Sequence, residues 1–206
     1  MKKTEFIRGL HGLKPCHLGC VATIGSFDGV HRGHRVVLQQ VISRARELGL
    51  PSLVMVFEPQ PHEYFSKQAA PPRLMRLREK VEALFAEGID RVLCLKFNNE
   101  LRSLSAEQYI ERVLVDGIGV KHLVVGDDFR FGCDRKGDFE MLCSAGERHG
   151  FEGRDTSTYH DDGQRVSSTR IRALLEADRL SDVERLLGRR FAVTGRVIYG
   201  KQLGRS

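Results

Sequence analysis

Gly25-Ser26-Phe27-Asp28-Gly29-Val30-His31-Arg32-Gly33-His34 stands where a short apolar run, Val21–Ser26, gives way to an amphipathic one, His34–Leu48. A strand-to-helix turn is the natural reading. Three glycines let the backbone turn sharply and approach a ligand closely. The start of the helix supplies unpaired N–H groups and a partial positive charge, which suit phosphate. His31 and His34 add side-chain donors beside that anion hole. The glycine spacing is neither the dinucleotide fingerprint nor the P-loop, and no Gly-Lys-Ser/Thr follows. A zinc reading of the two histidines lacks further ligands at suitable spacing. The turn therefore points to phosphate binding.

Outward from the turn, strand and helix alternate. Val37, Leu38, Val41, Ile42 and Ala45 lie on one face of His34–Leu48, which Gly49 and Pro51 should end. Further strands are expected at Ser52–Phe57, Arg91–Phe97 and Lys121–Gly126. Helices are expected at Leu77–Glu87, at Ser105–Val115 with Ser105 and Gln108 as a capping box, near Asp138–His149, at Ser168–Glu176 and at Asp182–Leu187. Glu58–Pro72 is proline-rich and reads as a long loop. This alternation implies an α/β fold with a mostly parallel sheet covered on both faces. Ligands bind such sheets at the carboxyl ends of the strands, where Gly25–His34, Phe57–Phe65 and Gly126–Gly137 fall. After Leu187 the pattern changes. Gly188-Arg189-Arg190 reads as a linker, and Phe191–Tyr199 alternates like a strand that cannot bury itself alone. It reads as the opening of a second, β-rich domain that breaks off at residue 206.

The bulk composition narrows the function. The 206 residues carry a net charge of +6, so an anionic partner is favoured. Lys and Arg are not interleaved with aromatics, which favours a small anion over a nucleic acid. No apolar run is long enough to span a bilayer, and the N-terminus lacks the apolar core of a secretory signal. Five scattered cysteines, an odd number, argue against a disulfide framework and for a reducing cytoplasm. Cys16 and Cys20, with His17 between them, have no second ligand pair and read as plain thiols.

Two more stretches carry chemistry. In Arg165-Val166-Ser167-Ser168-Thr169-Arg170-Ile171-Arg172, hydroxyls at a helix mouth can cap it or bind phosphate oxygens. Arg165 and Arg172 could clamp a triphosphate with forked donors. Phe57–Phe65 and Gly126–Gly132 combine aromatics with rigid or polar residues, as a flat heteroaromatic ligand requires. Some of these aromatics are expected to be core.

Taken together, GSFDGVHRGH, VFEPQPHEYF, VGDDFRFGCDRKGD and DGQRVSSTRIR, in that order, resemble the bacterial bifunctional riboflavin kinase/FMN adenylyltransferase family, the FAD synthetases. The resemblance implies a Rossmann-like HxGH nucleotidyltransferase domain over residues 1–187. It further implies that 188–206 are a linker and the first part of a β-barrel riboflavin kinase domain, too little for kinase activity. The implied reaction transfers AMP from ATP to FMN, giving FAD and pyrophosphate, with Mg²⁺ offsetting phosphate charge and no directly ligating residue assigned. On this view His31, His34 and Arg172 are catalytic. Gly25, Ser26, Phe27, Asp28, Gly29, Gly33, Arg165, Ser168 and Thr169 bind ATP. Asp28 has two open uses, a bond to the metal or a turn-forming side-chain bond. Pro59, Pro61, Phe65, Tyr109, Asp128 and Phe129 line the flavin site. Other HxGH-type nucleotidyltransferases and a non-catalytic flavin- or nucleotide-binding module are the alternatives. Partners are expected to be ATP and FMN, with neither nucleic acid nor membrane.

Overall fold

A computed structural model describes residues 4–66, 69–126 and 128–197. Six parallel strands form one sheet: β1 (Glu5–Arg8), β2 (Cys20–Ile24), β3 (Ser52–Glu58), β4 (Arg91–Lys96), β5 (Val120–Gly126) and β6 (Glu152–Thr156). Their spatial order is β1-β4-β3-β2-β5-β6, and every pairing is parallel. The chain winds outward from β2 in both directions. The switch point thus lies between β2 and β5, where a crevice opens at the carboxyl ends of the strands.

Alternation along the strands splits the interior in two. Ala22, Ile24, Leu53 and Met55 face one layer, while Val21, Val54 and Val56 face the other. The second layer is closed by α1 (Arg32–Leu48) and α3 (Leu77–Ala86). Leu38, Val41, Ile42 and Ala45 of α1 are buried, as the helical period predicts, and Gly49 ends the helix in a left-handed conformation at φ 64°. The first layer is closed by α5 (Ala106–Tyr109), which runs on as a π-helix over Ile110–Val115, and by α6 (Phe139–His149). Ser105 and Gln108 form the expected capping box, and Asp138 caps α6. A third small cluster joins α7 (Ser168–Glu176) and α8 (Leu180–Leu187) through Ile171, Val183, Leu186 and Leu187 to Leu74 and Val166.

Several elements depart from the sequence reading. The expected loop over Glu58–Pro72 contains a short helix, α2 (Pro61–Ser66), with Pro61 at its first position, where a missing N–H costs nothing. Asn99–Arg102 forms a further turn of helix, α4. Strands β1 and β6 were not anticipated: both are edges, and β6 (EGRDT) exposes most of its side chains, so no apolar run marks it. A two-strand hairpin, β7 (His160–Asp161) and β8 (Gln164–Arg165), turns on Asp162-Gly163, both at positive φ. Residues 191–197 form no strand, and the rest of the expected Phe191–Tyr199 strand falls outside the described residues.

Candidate active site

A cleft of about 470 Å³ opens at the switch point. Its floor is Thr23, Ile24 and Gly25 from the end of β2, Gly126 from β5 and Thr156 from β6. Two helix N-termini converge on it. His31, Gly33 and His34 come from the start of α1, and Ser167, Ser168 and Thr169 from the start of α7. Helix starts direct unpaired N–H groups and positive potential at whatever occupies the cleft. Arg130, Arg135 and Arg165 add three guanidinium groups to its wall.

The turn between β2 and α1 is tightly held. Gly29 sits at φ 85°, and Phe27 and Val30 also lie in the left-handed region, at 46° and 39°. Such a conformation in non-glycine residues persists only where the surroundings impose it. Asp28, almost fully buried, imposes much of it. Its carboxylate accepts from the Leu74 and Met75 N–H groups, each at 3.0 Å, and pairs with Arg172 at 2.5 Å. The Ser168 hydroxyl donates to the Asp28 carbonyl at 2.9 Å, joining α7 to the turn.

His31 is the N-cap of α1. Its Nδ1 accepts the His34 N–H at 3.3 Å, and the two rings stack with centroids 3.6 Å apart. A Cβ on Gly33 would stand 3.2 Å from the His31 ring and 3.3 Å from the Val166 carbonyl, so glycine lets these parts close up. Burial, followed by the charges of Arg165 and Arg189, lowers the His31 pKa to about 4. Burial, followed by His31 and Lys80, holds His34 well below the ordinary histidine range. Both rings are therefore neutral at pH 7. Because Nδ1 of His31 is an acceptor, its proton resides on Nε2, leaving one N–H donor. Nδ1 of His34 is buried with no hydrogen-bond partner.

The expected phosphate residues divide. Gly25, Phe27, His31, Gly33, His34, Arg165, Ser168 and Thr169 line the cleft; Ser26, Asp28, Gly29 and Arg172 do not. Arg172 spends its guanidinium on Asp28 and, at 2.6 Å, on the Pro72 carbonyl. The arginine expected to clamp phosphate thus supports the turn from behind. Of the two uses open to Asp28, the structure takes the turn-forming one. Arg165 instead bridges the cleft mouth to Asp128 at 2.8 Å.

The expected flavin residues divide as well. Asp128 and Phe129 line the cleft. Phe65 is exposed and stacks edge-on with Phe97 and Tyr64, forming an aromatic ledge beyond the ends of β3 and β4. Pro59 and Pro61 adjoin that ledge in sequence but not the cleft wall. Tyr109 is a core residue: its ring packs on Phe131, its hydroxyl meets the Met55 sulfur at 3.4 Å, and burial raises its pKa. The face of α5 that carries Tyr109 points into the sheet. The cleft wall also includes Arg130 and Arg135, from the Gly126–Gly137 stretch but given no role of their own, and a hydroxyl-rich run not singled out in the sequence, Thr156-Ser157-Thr158-Tyr159. That run starts at the last residue of β6, so recognising β6 as a strand would have exposed it as a strand-end segment.

A parallel sheet with a strand-end cleft, two convergent helix starts and a neutral HxGH pair defines an α/β protein of the nucleotidyltransferase type. The comparisons with known proteins go further. The chain matches the FAD synthetase family over residues 13–170 and belongs to that family. It is 55% identical over 201 residues to the bifunctional riboflavin kinase/FMN adenylyltransferase of Pseudomonas fluorescens, covering 98% of this chain and 64% of that protein. Identity to the protein of the same name from Escherichia coli K12 is 49% over 203 residues, covering 98% and 65%. The chain thus spans just under two thirds of these relatives' length. Among solved structures, a Streptococcus pneumoniae protein titled a macrolide-efflux protein superposes with a TM-score of 0.76 at 26% identity, covering 93% of this chain and 63% of its own.

Proposed function

We propose that this chain transfers AMP from ATP to FMN, forming FAD and releasing pyrophosphate. The observation that carries the proposal is the stacked His31–His34 pair at the start of α1, in a cleft shared with the start of α7, in a chain of the FAD synthetase family. The names of the relatives supply the acceptor.

On this reading the FMN phosphate attacks the α-phosphorus in line, and the bond from that phosphorus to the bridging oxygen breaks. A phosphate monoester is largely dianionic at neutral pH, with a second pKa of about 6, so the attack needs no general base. The chain's task is positioning and charge stabilisation. The His31 Nε2–H and the ring of His34 would bind the α-phosphate and the departing oxygen. The N–H groups and hydroxyls at the start of α7, together with Arg165, would hold the outer phosphates. Arg165 must then exchange Asp128 for the nucleotide. Asp128, Phe129 and the Phe65 ledge would receive the flavin, with Pro59 and Pro61 shaping the approach.

Mg²⁺ fits this site as a companion of the nucleotide. No cluster of three His, Cys, Asp or Glu able to hold a metal exists among the described residues. Asp28 is consumed by Arg172 and two N–H groups, and Asp128 is the one carboxylate among the described lining residues. Mg²⁺ tolerates such a site because phosphate oxygens and water supply most of its ligands. When bound, it would offset charge on the transferring phosphates.

We place the end of the adenylyltransferase domain at Leu187, with residues 188–206 a linker and the opening of a riboflavin kinase domain. Riboflavin kinase activity, the other half of the relatives' name, would then require sequence beyond that boundary. No helix among the described residues is long and apolar enough to cross a membrane. All five cysteines are free thiols, which supports a cytoplasmic assignment. The proposal is tested by supplying Mg²⁺, ATP and FMN and following FAD and pyrophosphate.

A further inference from the structure

Arg189 lies two residues beyond α8 and outside the segment that matches the family. Its half-buried guanidinium reaches back to the turn that presents His31. Nη2 donates to the Gly29 carbonyl at 2.7 Å and Nη1 to the Val30 carbonyl at 3.2 Å. Further contacts reach the Leu187 carbonyl and the Met75 sulfur. No carboxylate pairs with Arg189 among the described residues, so the charge is spent on backbone carbonyls.

Those two carbonyls belong to the peptide units Gly29–Val30 and Val30–His31. A peptide unit is planar, so fixing its oxygen fixes the N–H at its other end. Arg189 therefore sets the plane from which His31 departs. Val30 needs such a hold, because a β-branched residue at φ 39° is strained. Asp28 and Ser168 secure the first half of the turn; Arg189 secures the second half. The next segment is anchored as well, with the Thr194 N–H donating to Glu79 at 3.2 Å.

We propose that Arg189 is a positioning residue for the transferase site: it pins the two peptide planes before His31 and ties the linker after α8 to the geometry of that histidine. The proposal rests on the adenylyl-transfer reading of the site. Its test compares Arg189→Met, which keeps the apolar stem, Arg189→Lys, which keeps the charge and one directed donor, and Arg190→Ala, a control at an exposed neighbour. FAD formation, the KM of each substrate and the melting temperature are measured in the full chain. Arg189→Met should lower kcat roughly tenfold or more, with the KM for FMN within about twofold. Arg189→Lys should recover part of the loss, and Arg190→Ala should match the wild type. A kcat for Arg189→Met within twofold of wild type would overturn the proposal. So would a loss that follows only the unfolded fraction and is not improved by lysine. If the wild type forms no FAD, the adenylyl-transfer reading fails separately. The order wild type, Lys, Met is then sought in binding of a non-hydrolysable ATP analogue, and equal affinities would overturn the positioning role.

Discussion

His31 and His34 stack with their ring planes inclined by 16°, and Nδ1 of the first accepts the backbone N–H of the second. One hydrogen bond thus caps α1 and fixes the tautomer of a residue in the cleft. On the proposed reading, replacing either ring by alanine would remove a preorganised group from the transferring phosphate. His31→Ala and His34→Ala should each lower turnover about a hundredfold or more, while FMN affinity, read from flavin fluorescence, changes little. Near-normal FAD formation in both variants would remove the pair from the chemistry.

Burial of the pair makes stability depend on pH. The His31 pKa is near 4 in the folded chain and near 6.5 in an unfolded one. The unfolded state therefore binds more protons between these values, and stability falls as pH drops from about 6.5 to 4. The full difference for His31 corresponds to about 3 kcal/mol, and His34 shifts in the same direction. Urea unfolding across this window should show the loss. His31→Asn, which keeps an N-cap side chain, should show a shallower one.

Asp28 and Arg172 make a buried ion pair that also holds two backbone N–H groups. Arg172→Ala strands a buried carboxylate and should cost about 3 to 5 kcal/mol of stability, measured by denaturant unfolding. The opposite pattern, normal stability with a weakened KM for ATP, would return Arg172 to the triphosphate.

Gly29 combines φ 85° with a crowded neighbour, since an added Cβ would stand 2.9 Å from a Leu74 methyl. Gly29→Ala should therefore destabilise by about 1 to 2 kcal/mol from the backbone alone, more if Leu74 cannot move. Thermal melting of the variant would show it.

What was legible in the sequence follows from what is local. The apolar face of α1, its glycine stop and the boundaries of Ser168–Glu176 come from spacing and caps, and the structure has them. The parallel sheet follows from strand–helix alternation. Strand β6 was hidden because an edge strand with polar faces carries no apolar signature, and the Thr156–Tyr159 wall went with it. The bond that Arg172 makes was out of reach of local patterns for a different reason. Its partner Asp28 is 144 residues away, and only the folded chain shows that the two neutralise one another behind the turn. Tyr109 lies in the expected helix, and only the packed chain shows that its side chain faces the core.

The most direct test of the account is the reaction of the chain with Mg²⁺, ATP and FMN, resolved by chromatography. FAD and pyrophosphate should appear in equal amounts, and both should fall at least about a hundredfold in the His31→Ala variant. No FAD from the wild type, or FAD formed equally well without His31, would contradict it.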